Sequence, residues 1–597
     1  MKSRKWLCIA LLLILCGTCL AGFFQTSFNS VKIVDITLQT DAGELNGYLL
    51  VPKTATAEHP APAIVTSHGY LNNREMQDLN YVELSRRGYV VFAMNAYAHG
   101  NSSVVREDAP SISVNTGGMV DAVEYLSTLS FVDPSRIGVT GHSMGAGFAD
   151  MTACYYSGLE QAALASGASK EEAAALNKVS SALLVGNVPL NLASVAPYNC
   201  EVGIILARYD EFFITYAENI YENKILHELI SLQAEVPEVL SEAVRYENSA
   251  TGKGIVVYSP KQTHPWNHFS KICCAHAIEF FEATLGAPNP IASENQIWQF
   301  KELFNCVALV GFFLLMVPLM DILLNCSFFN ELRLSEPAPV PFTSRSRFIT
   351  SNLINALASF ILIIPMFTLG FSLIQNRIWP QDTTGCLALW TLSCGIFTLL
   401  IQLKNGFKIT DVRMDKRKIG KSFLLALAVT AISYSTVFIT FWLFKSDFRI
   451  WTFAVTPFSA KKVWVAVRYL PFYLVFYVVN SIALSRNNYK GWSETKQICV
   501  SSFWNVLGIL IFEALNFIPI LFMKKTLLNA LFTDGIAAAA GALFPLLLYP
   551  VVAILCIAAA IEIKMYHKTG NIWLAGFLNA MVITMLTVAN TCFSFPY

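Results

Sequence analysis

Charged residues are scarce in this chain of 597 residues. Asp, Glu, Lys and Arg together make up 14% of it, whereas soluble domains carry roughly 25%. Hydrophobic residues reach 54%, which excludes a wholly soluble protein. Among the 14 cysteines, no two pairs have the spacing of a metal site. We therefore expect neither a bound metal nor another cofactor.

Positive and negative charges are divided unevenly along the chain. Residues 1–301 hold 19 Lys and Arg against 29 Asp and Glu, and residues 302–597 hold 23 against 12. The acidic half is long enough for one large globular domain, and the basic half is apolar enough for a bundle of membrane helices. Because the basic residues of the second half lie in short loops, no nucleic-acid partner is expected. Membrane lipids are the expected surroundings of that half.

The N-terminus combines three basic residues with an apolar run from Trp6 to Phe24. This pattern is typical of a signal peptide or a signal anchor, and both direct the following residues across the membrane. Small residues near Leu20 and Ala21 leave cleavage possible, but the run is close to spanning length. We therefore assign residues 1–24 to a signal anchor or signal peptide and favour the uncleaved anchor.

Apolar stretches of about spanning length recur after Lys301. They lie at 303–324, 348–374, 384–403, 422–444, 463–484, 498–522, 536–563 and 573–593. Each is near the ~20 residues that a helix needs to cross the hydrocarbon core. Residues 301–597 are thus predicted to form a membrane domain of about eight helices, or nine with the anchor.

Basic residues also differ between the two sets of loops that join these stretches. The loops predicted to be cytoplasmic are 325–347, 404–421, 485–497 and 564–571. Together they hold 15 Lys and Arg, and the opposite loops hold seven. Because cytoplasmic loops are enriched in Lys and Arg, we expect a multi-pass protein of the cell membrane with residues 25–300 outside the cytoplasm.

A few charges fall within the predicted spans. Arg468 and Glu513 lie well inside, and intramembrane charges are functional candidates by default. Two isolated charges make a weak case for transport, however, and the ordinary alternative is an interhelical pair that stabilises the bundle. Asp321 and Glu562 lie nearer to span ends, where a side chain can snorkel. These charges keep open a transport or sensing function for the second half.

Residues 25–300 alternate between short β-branched or apolar runs and stretches with helical spacing. The runs predict eight strands, at 31–38, 46–51, 63–67, 89–93, 137–141, 181–186, 202–207 and 254–258. Such an alternation calls for a mainly parallel sheet covered on both faces, that is, an α/β domain. Residues 211–250 are predicted to be a helical insertion, and Cys154 with Cys200 is a possible disulfide.

A serine lies in a turn between a predicted strand and a predicted helix, in Gly141-His142-Ser143-Met144-Gly145. A nucleophile in such a strained turn needs glycine two residues to either side, and the helix N-terminus that follows stabilises negative charge. The motif alone is weak, but its place between strand and helix predicts that Ser143 is a catalytic nucleophile.

Further motifs follow other predicted strands. They are Ser67-His68-Gly69-Tyr70, Asn95-Ala96-Tyr97-Ala98-His99-Gly100-Asn101-Ser102, Arg208-Tyr209-Asp210-Glu211 and Thr263-His264-Pro265-Trp266. With the Ser143 turn they resemble the α/β-hydrolase superfamily over residues 31–286, in particular its dienelactone-hydrolase-like and prolyl-oligopeptidase-like serine hydrolases. The resemblance implies an α/β-hydrolase fold with a mainly parallel eight-stranded sheet. Asn95 departs from it, since many relatives carry aspartate at this structural position.

Ser143 needs a base, because a free serine hydroxyl is too weakly acidic to act at neutral pH. Only His264 and His268 follow the last predicted strand and precede the last helix of this half. Pro265 biases His264 to an extended conformation in the loop, which favours His264 and leaves His268 as the alternative.

The resemblance supplies the remaining site residues. It places the orienting acid at the aspartate of a Tyr-Asp pair after the seventh strand, hence Asp210, with Glu211 as the rival. The oxyanion donors are the N–H of Met144 and, by resemblance, the N–H of Tyr70.

These residues predict a membrane-bound serine hydrolase that cleaves an ester, thioester or small amide through an acyl-Ser143 intermediate. Its substrate would be an acyl compound, whether a small molecule, a lipid or a peptide. The alternative is a membrane transport or sensing protein whose hydrolase-like domain binds ligand without turnover. The motifs fix neither the substrate nor the oligomeric state.

Overall fold

The structure is a computed structural model and consists of two compact units. The described residues are 2–217, 219–334, 344–374, 376–412, 414–487, 491–523, 525–531 and 535–595. The α/β unit comprises Leu20–Leu303 and Ile520–Lys525, and the helical unit comprises Met1–Cys19, Phe304–Pro519 and Thr526–Tyr597. Arg413, Lys490 and Lys524, which entered the count of basic loop residues, lie outside the described residues.

The α/β unit is built on one sheet of nine strands. In chain order the strands are β1 (Val31–Gln39), β2 (Glu44–Pro52), β3 (Ala61–Ser67), β4 (Val90–Met94), β5 (Val132–His142), β6 (Ser181–Val185), β7 (Glu201–Ile205), β8 (Arg245–Glu247) and β9 (Gly254–Tyr258). Their order across the sheet is β1-β2-β4-β3-β5-β6-β7-β9-β8. The six central strands, β4, β3, β5, β6, β7 and β9, are parallel. At one edge β1 pairs antiparallel with β2 and β2 with β4, and at the other edge β8 pairs antiparallel with β9.

The central strands are mainly apolar because both faces of a parallel sheet are covered. Every residue of β3 and β4 is buried. The helices of this unit are α2 (Asp78–Arg86), α3 (Ser111–Asn115), α4 (Met119–Ser127), α5 (Met144–Ala165), α6 (Lys170–Ala174), α7 (Ile214–Ala217), α8 (Lys224–Ile230) and α9 (Lys271–Leu285), with α1 (Lys2–Gln25) preceding them. Since β3 to β7 and β9 run in the same direction, their carboxyl ends, and the loops that follow, meet at one edge of the sheet.

Two expectations for this unit are wrong. The sheet has nine strands rather than eight, because the short edge strand β8 lies inside the stretch 211–250. That stretch is not a helical insertion throughout, since it contains only the short helices α7 and α8 besides β8. The disulfide between Cys154 and Cys200, which the sequence only allowed, is absent, since both residues are free thiols. All eight predicted strands are confirmed, seven of them to within two residues, and β5 begins five residues earlier than predicted.

The helical unit contains most of the long apolar helices. They are α10 (Trp298–Leu323), α11 (Arg345–Leu373), α12 (Asp382–Lys404), α13 (Lys416–Phe444), α14 (Ala460–Arg486), α15 (Glu494–Met523), α17 (Gly535–Thr569) and α18 (Ile572–Asn590). The unit also contains the short helix α16 (Leu527–Leu531) and a hairpin of β10 (Phe448–Ile450) and β11 (Phe453–Val455). Of the described helices, nine are long and apolar enough to cross a membrane; they are α1, α10 to α15, α17 and α18.

The N-terminal helix α1 packs closely against α10. A Cβ on Gly17 would lie 2.7 Å from the backbone nitrogen of Ala308, and one on Gly311 would lie 2.9 Å from the carbonyl oxygen of Ala10. Small residues that let helix backbones approach are typical of membrane helix interfaces. Thr18 of α1 also forms a hydrogen bond with Thr440 of α13 at 3.1 Å.

The charges within the predicted spans are arranged differently from the sequence-based expectation. Arg468 is exposed and donates to the carbonyl oxygen of Arg377 at 3.0 Å, and no ion pair joins it to Glu513 in the described part of the chain. Asp321 pairs with Arg333 and Lys568 near the ends of their helices. Glu562 does not snorkel: it is 1% exposed.

Candidate active site

Ser143 occupies a strained turn between β5 and α5. Its φ and ψ are 57° and −114°, and a positive φ is uncommon for a residue with a side chain. A Cβ on Gly141 would lie 2.4 Å from the carbonyl carbon of Gly145, and a Cβ on Gly145 would lie 2.4 Å from the carbonyl oxygen of Ser67. The two flanking glycines are therefore required by the close approach of backbone to backbone, as the sequence predicts.

The structure brings His264 and Asp210 together. The Nδ1 atom of His264 lies 2.7 Å from Oδ2 of Asp210, and the two side chains are 2% and 0% exposed. Because an ionised carboxylate can only accept, Nδ1 carries the hydrogen in the neutral imidazole, and Nε2 keeps a lone pair. His264 is thereby held in the tautomer that a general base requires.

Backbone N–H groups of the residues that follow Asp210 hold its carboxylate in place. The other carboxylate oxygen, Oδ1 of Asp210, accepts the N–H groups of Phe212 and Phe213, both at 3.0 Å. Burial lowers the pKa of His264, but the charge and hydrogen bond of Asp210 together with the charge of Glu211 outweigh it and leave the pKa raised. The site therefore stabilises the imidazolium that a general base forms when it accepts a proton.

Glu211, the rival acid, does not contact the imidazole ring. Its Oε2 atom accepts the backbone N–H of His264 at 2.9 Å, and the residue is 1% exposed. Burial, followed by the charge of Asp210, raises the pKa of Glu211 to about 7. Asp210 thus orients the ring of His264, and Glu211 holds its backbone.

The two candidate histidines lie at opposite ends of one 3₁₀ turn, His264–His268. Neither histidine belongs to the last helix of this unit, because α9 begins at Lys271 and is capped by Ser270. The ring of His268 packs edge-on against His142, with centroids 4.4 Å apart. The carboxylate of Asp210 is hydrogen-bonded to His264.

His142, the residue before Ser143, connects the turn at Ser143 to the 3₁₀ turn His264–His268. Its Nε2 donates to the carbonyl oxygen of His264 at 3.0 Å, and the two rings are 4.6 Å apart. Burial, followed by the neighbouring His268 and His264, lowers the pKa of His142 well below its ordinary value. A neutral His142 therefore links Ser143 and His264 through the backbone.

The two predicted oxyanion donors are backbone N–H groups in the segments that follow β3 and β5. Met144 is the first residue of α5, and the N–H of a first helical residue has no partner within its helix. Tyr70 follows Gly69, whose added Cβ would lie 3.0 Å from Nδ1 of His142 and 3.3 Å from its carbonyl oxygen. The loop after β3 therefore runs directly beside the end of β5.

Other motif residues belong to the scaffold. His68 is fully buried, its Nε2 accepts the N–H of Ala96 at 3.1 Å, and burial with the charge of His99 lowers its pKa to about 3. Asn95 accepts the backbone N–H of Arg74 at 2.9 Å and donates to Asn46 at 3.0 Å. Both residues fasten the loops after β3 and β4.

Sequence reasoning missed the two phenylalanines that follow the acidic pair. Besides their backbone bonds to Asp210, their rings pack on His264, with centroid distances of 4.5 Å for Phe212 and 6.1 Å for Phe213. The available signal was the position of Asp210 itself, since an aspartate often accepts the N–H groups two and three residues on.

Residues 45–231 match the dienelactone hydrolase family. That range contains β2 to β7, Ser143 and Asp210, and it ends before His264. This part of the chain is therefore similar to the dienelactone hydrolase family. No curated protein matches the chain.

Three solved structures are among those similar to the chain. An esterase from Pyrococcus furiosus is 14% identical, and the match covers 44% of this chain and 96% of the esterase with a TM-score of 0.29. A dienelactone hydrolase-like promiscuous phosphotriesterase from metagenomic libraries is 12% identical, with 46% and 98% covered and a TM-score of 0.27. An acylaminoacyl peptidase from Pyrococcus horikoshii is 14% identical, with 47% and 46% covered and a TM-score of 0.28.

Proposed function

We propose that the protein is a serine hydrolase that cleaves an ester, thioester or small amide through an acyl-Ser143 intermediate. The observation that carries this proposal is the buried Asp210–His264 hydrogen bond of 2.7 Å beside the strained Ser143 turn. The dienelactone hydrolase match over residues 45–231 supports the reaction class. The substrate would be an acyl compound from a small molecule, lipid or peptide.

The proposed reaction uses each residue in one role. The Oγ atom of Ser143 attacks the acyl carbon while Nε2 of His264 takes its proton, and the N–H groups of Met144 and Tyr70 hold the oxyanion. The leaving alcohol, thiol or amine then receives that proton from His264. A water molecule, activated by the same imidazole, releases the acid and restores Ser143. Asp210 stabilises the imidazolium and does not itself take the proton.

A fluorophosphonate probe tests this proposal directly. It should label Ser143 in the full-length protein, and labelling should disappear in Ser143→Ala. Serine at position 67 offers a control in the same domain, since Ser67→Ala alters a buried hydroxyl at the end of β3 and leaves the nucleophile in place. A folded wild-type protein that is not labelled, and that hydrolyses none of a panel of esters and peptides, would favour a domain that binds ligand without turnover.

We further propose that the long apolar helices cross the cell membrane and that the α/β unit lies outside the cytoplasm. The distribution of basic loop residues supports this orientation. The close packing of α1 on α10 at Gly17 and Gly311 supports an N-terminal helix that stays in place as an anchor.

A further inference from the structure

A buried carboxylate lies within the helical unit, remote in sequence from the candidate active site. Glu562 is on α17 seven residues before the helix ends at Thr569, so it lies about 10 Å from that end. It is 1% exposed. A carboxylate at this position in an apolar bundle is costly, and intramembrane carboxylates are therefore candidates for function.

Two asparagines from neighbouring helices hold this carboxylate. Asn480 of α14 donates to Oε2 at 2.9 Å, and Asn579 of α18 donates to Oε1 at 3.1 Å. Both asparagines are at most 6% exposed. Each carboxylate oxygen therefore receives one neutral amide hydrogen bond.

No cation of the chain neutralises Glu562 within the described residues. The nearest lysine on the same helix, Lys564, pairs instead with Glu494 at 2.7 Å. Helix α18 carries no ionisable side chain along its whole length. Tyr477 of α14 is the titratable group that faces Glu562, and it is neutral when protonated. The negative charge is thus hydrogen-bonded without a counter-charge.

A cavity of about 50 Å³ with polar and apolar lining reaches the same asparagine. It lies among α11, α12, α14, α15 and α17, and its lining includes five asparagines: Asn352, Asn355, Asn480, Asn487 and Asn505. A water molecule needs about 10–15 Å³ by this measure, so the cavity has room for roughly four. Asn480 lines the cavity and donates to Glu562, which places the carboxylate one side chain away from it.

The cavity lies toward the end of the bundle that carries the basic loops. Asn352 is the eighth residue of α11, and Asn487 directly follows α14. These two side chains exchange hydrogen bonds of 3.2 and 3.4 Å. The Nδ2 atom of Asn505 is buried and has no hydrogen-bond partner among the residues that the structure describes. The cavity therefore offers amide groups to a hydrated ligand near the loop end.

We propose that Glu562 and the asparagine-lined cavity form a binding site for a small monovalent cation, either a proton or Na⁺. One carboxylate matches one positive charge, and amide and hydroxyl oxygens suit a hard cation. An anion would be repelled by Glu562, and a divalent cation would exceed its single charge. The site gives the helical unit a function of its own, independent of the hydrolase chemistry.

Carbodiimide labelling of the full-length protein tests this site. Dicyclohexylcarbodiimide adds to a protonated carboxyl group within apolar surroundings, and peptide mapping by mass spectrometry identifies the labelled residue. If the ligand is a proton, labelling of Glu562 should fall about tenfold per pH unit once the carboxyl ionises. If the ligand is Na⁺, labelling at fixed pH should be several-fold lower in NaCl than in choline chloride of the same concentration.

The second intramembrane glutamate supplies the matched control. Glu562→Gln should abolish the pH- or Na⁺-dependent adduct, and Glu513→Gln should retain it. Size-exclusion chromatography and thermal unfolding of the same preparations report whether each variant is folded. The proposal is overturned if Glu562 takes no label between about pH 5 and pH 9, or if its labelling is equal at every pH and in both salts. None of these outcomes depends on whether Ser143 is catalytic.

Discussion

At the scale of single residues, two adjacent acids bind different parts of one histidine. Asp210 binds the Nδ1 atom of the ring, and Glu211 binds the backbone N–H of His264. The family resemblance ranked Asp210 above Glu211, but it could not assign Glu211 a contact, because its partner is a backbone N–H that no motif specifies.

The choice between the two histidines gives the first prediction. His264→Ala should lower kcat roughly 10³-fold or more, nearly as much as Ser143→Ala, because residues that act as a unit are not additive. His268→Ala should retain most activity, since its ring packs on His142 while Asp210 binds His264. Steady-state hydrolysis of a small ester by both variants is the measurement. The reverse order of losses would move the base to His268.

Glu211 gives a prediction about pH and stability. Burial and Asp210 raise its pKa from about 4.5 to about 7, so the folded state binds this proton more tightly than the unfolded state does. The contribution to stability is therefore complete below about pH 4.5 and is lost as the pH rises to about 7. Between about pH 5 and pH 8, the Tm of the wild type should fall by a few degrees more than the Tm of Glu211→Gln. Equal changes in the two proteins would contradict the raised pKa.

The same substitution should also shift the activity profile. Ionised Glu211 helps to raise the pKa of His264, and a general base must be unprotonated to act. Glu211→Gln should therefore move the acid limb of the kcat/KM profile to lower pH, while its amide oxygen can still accept the N–H of His264. An acid limb that stays in place or moves to higher pH would show that Glu211 does not act on the imidazole.

At the scale of elements, the parallel strands could be predicted from the sequence, and the edge strand β8 could not. The runs at 63–67 and 89–93 are apolar on both faces, so they could only be central strands. Strand β8 has three residues, of which Arg245 and Glu247 are exposed and paired at 2.6 Å. A short charged edge strand of this kind carries no alternation from which to predict it. The composition of 211–250 favours helix, but tertiary pairing with β9 overrides it.

The turn between β5 and α5 leads to a test with a control in the same helix. Gly145→Ala should destabilise the domain by about 1–3 kcal/mol and lower activity, because the new Cβ would meet the carbonyl oxygens of Ser67 and His68 at 2.4 and 2.7 Å. Gly158→Ala, whose Cβ would meet only the side chain of Val195 at 3.5 Å, should be neutral or stabilising by up to about 1 kcal/mol. Chemical denaturation and ester hydrolysis measure both. Equal losses in the two variants would remove the steric requirement at Gly145.

At the scale of the whole molecule, composition separated the two halves before any motif was considered. The charge asymmetry and the apolar stretches predicted a helical region, and nine described helices have the length and composition to cross a membrane. Composition could not reveal that Glu562 is held by Asn480 and Asn579, because the three residues lie on different helices. It placed Glu562 near a span end, where snorkelling is the ordinary expectation.

The last prediction concerns which side of the membrane the α/β unit occupies. If the loops rich in Lys and Arg are cytoplasmic, trypsin added to intact spheroplasts should remove the α/β unit and leave loop 404–421 uncut. That loop is its own control, since its seven basic residues are trypsin sites that should be cleaved only after lysis. Immunoblots against tags placed in the α/β unit and at the C-terminus would follow both events. Cleavage of loop 404–421 in intact cells, with an α/β unit that resists trypsin until lysis, would reverse the orientation.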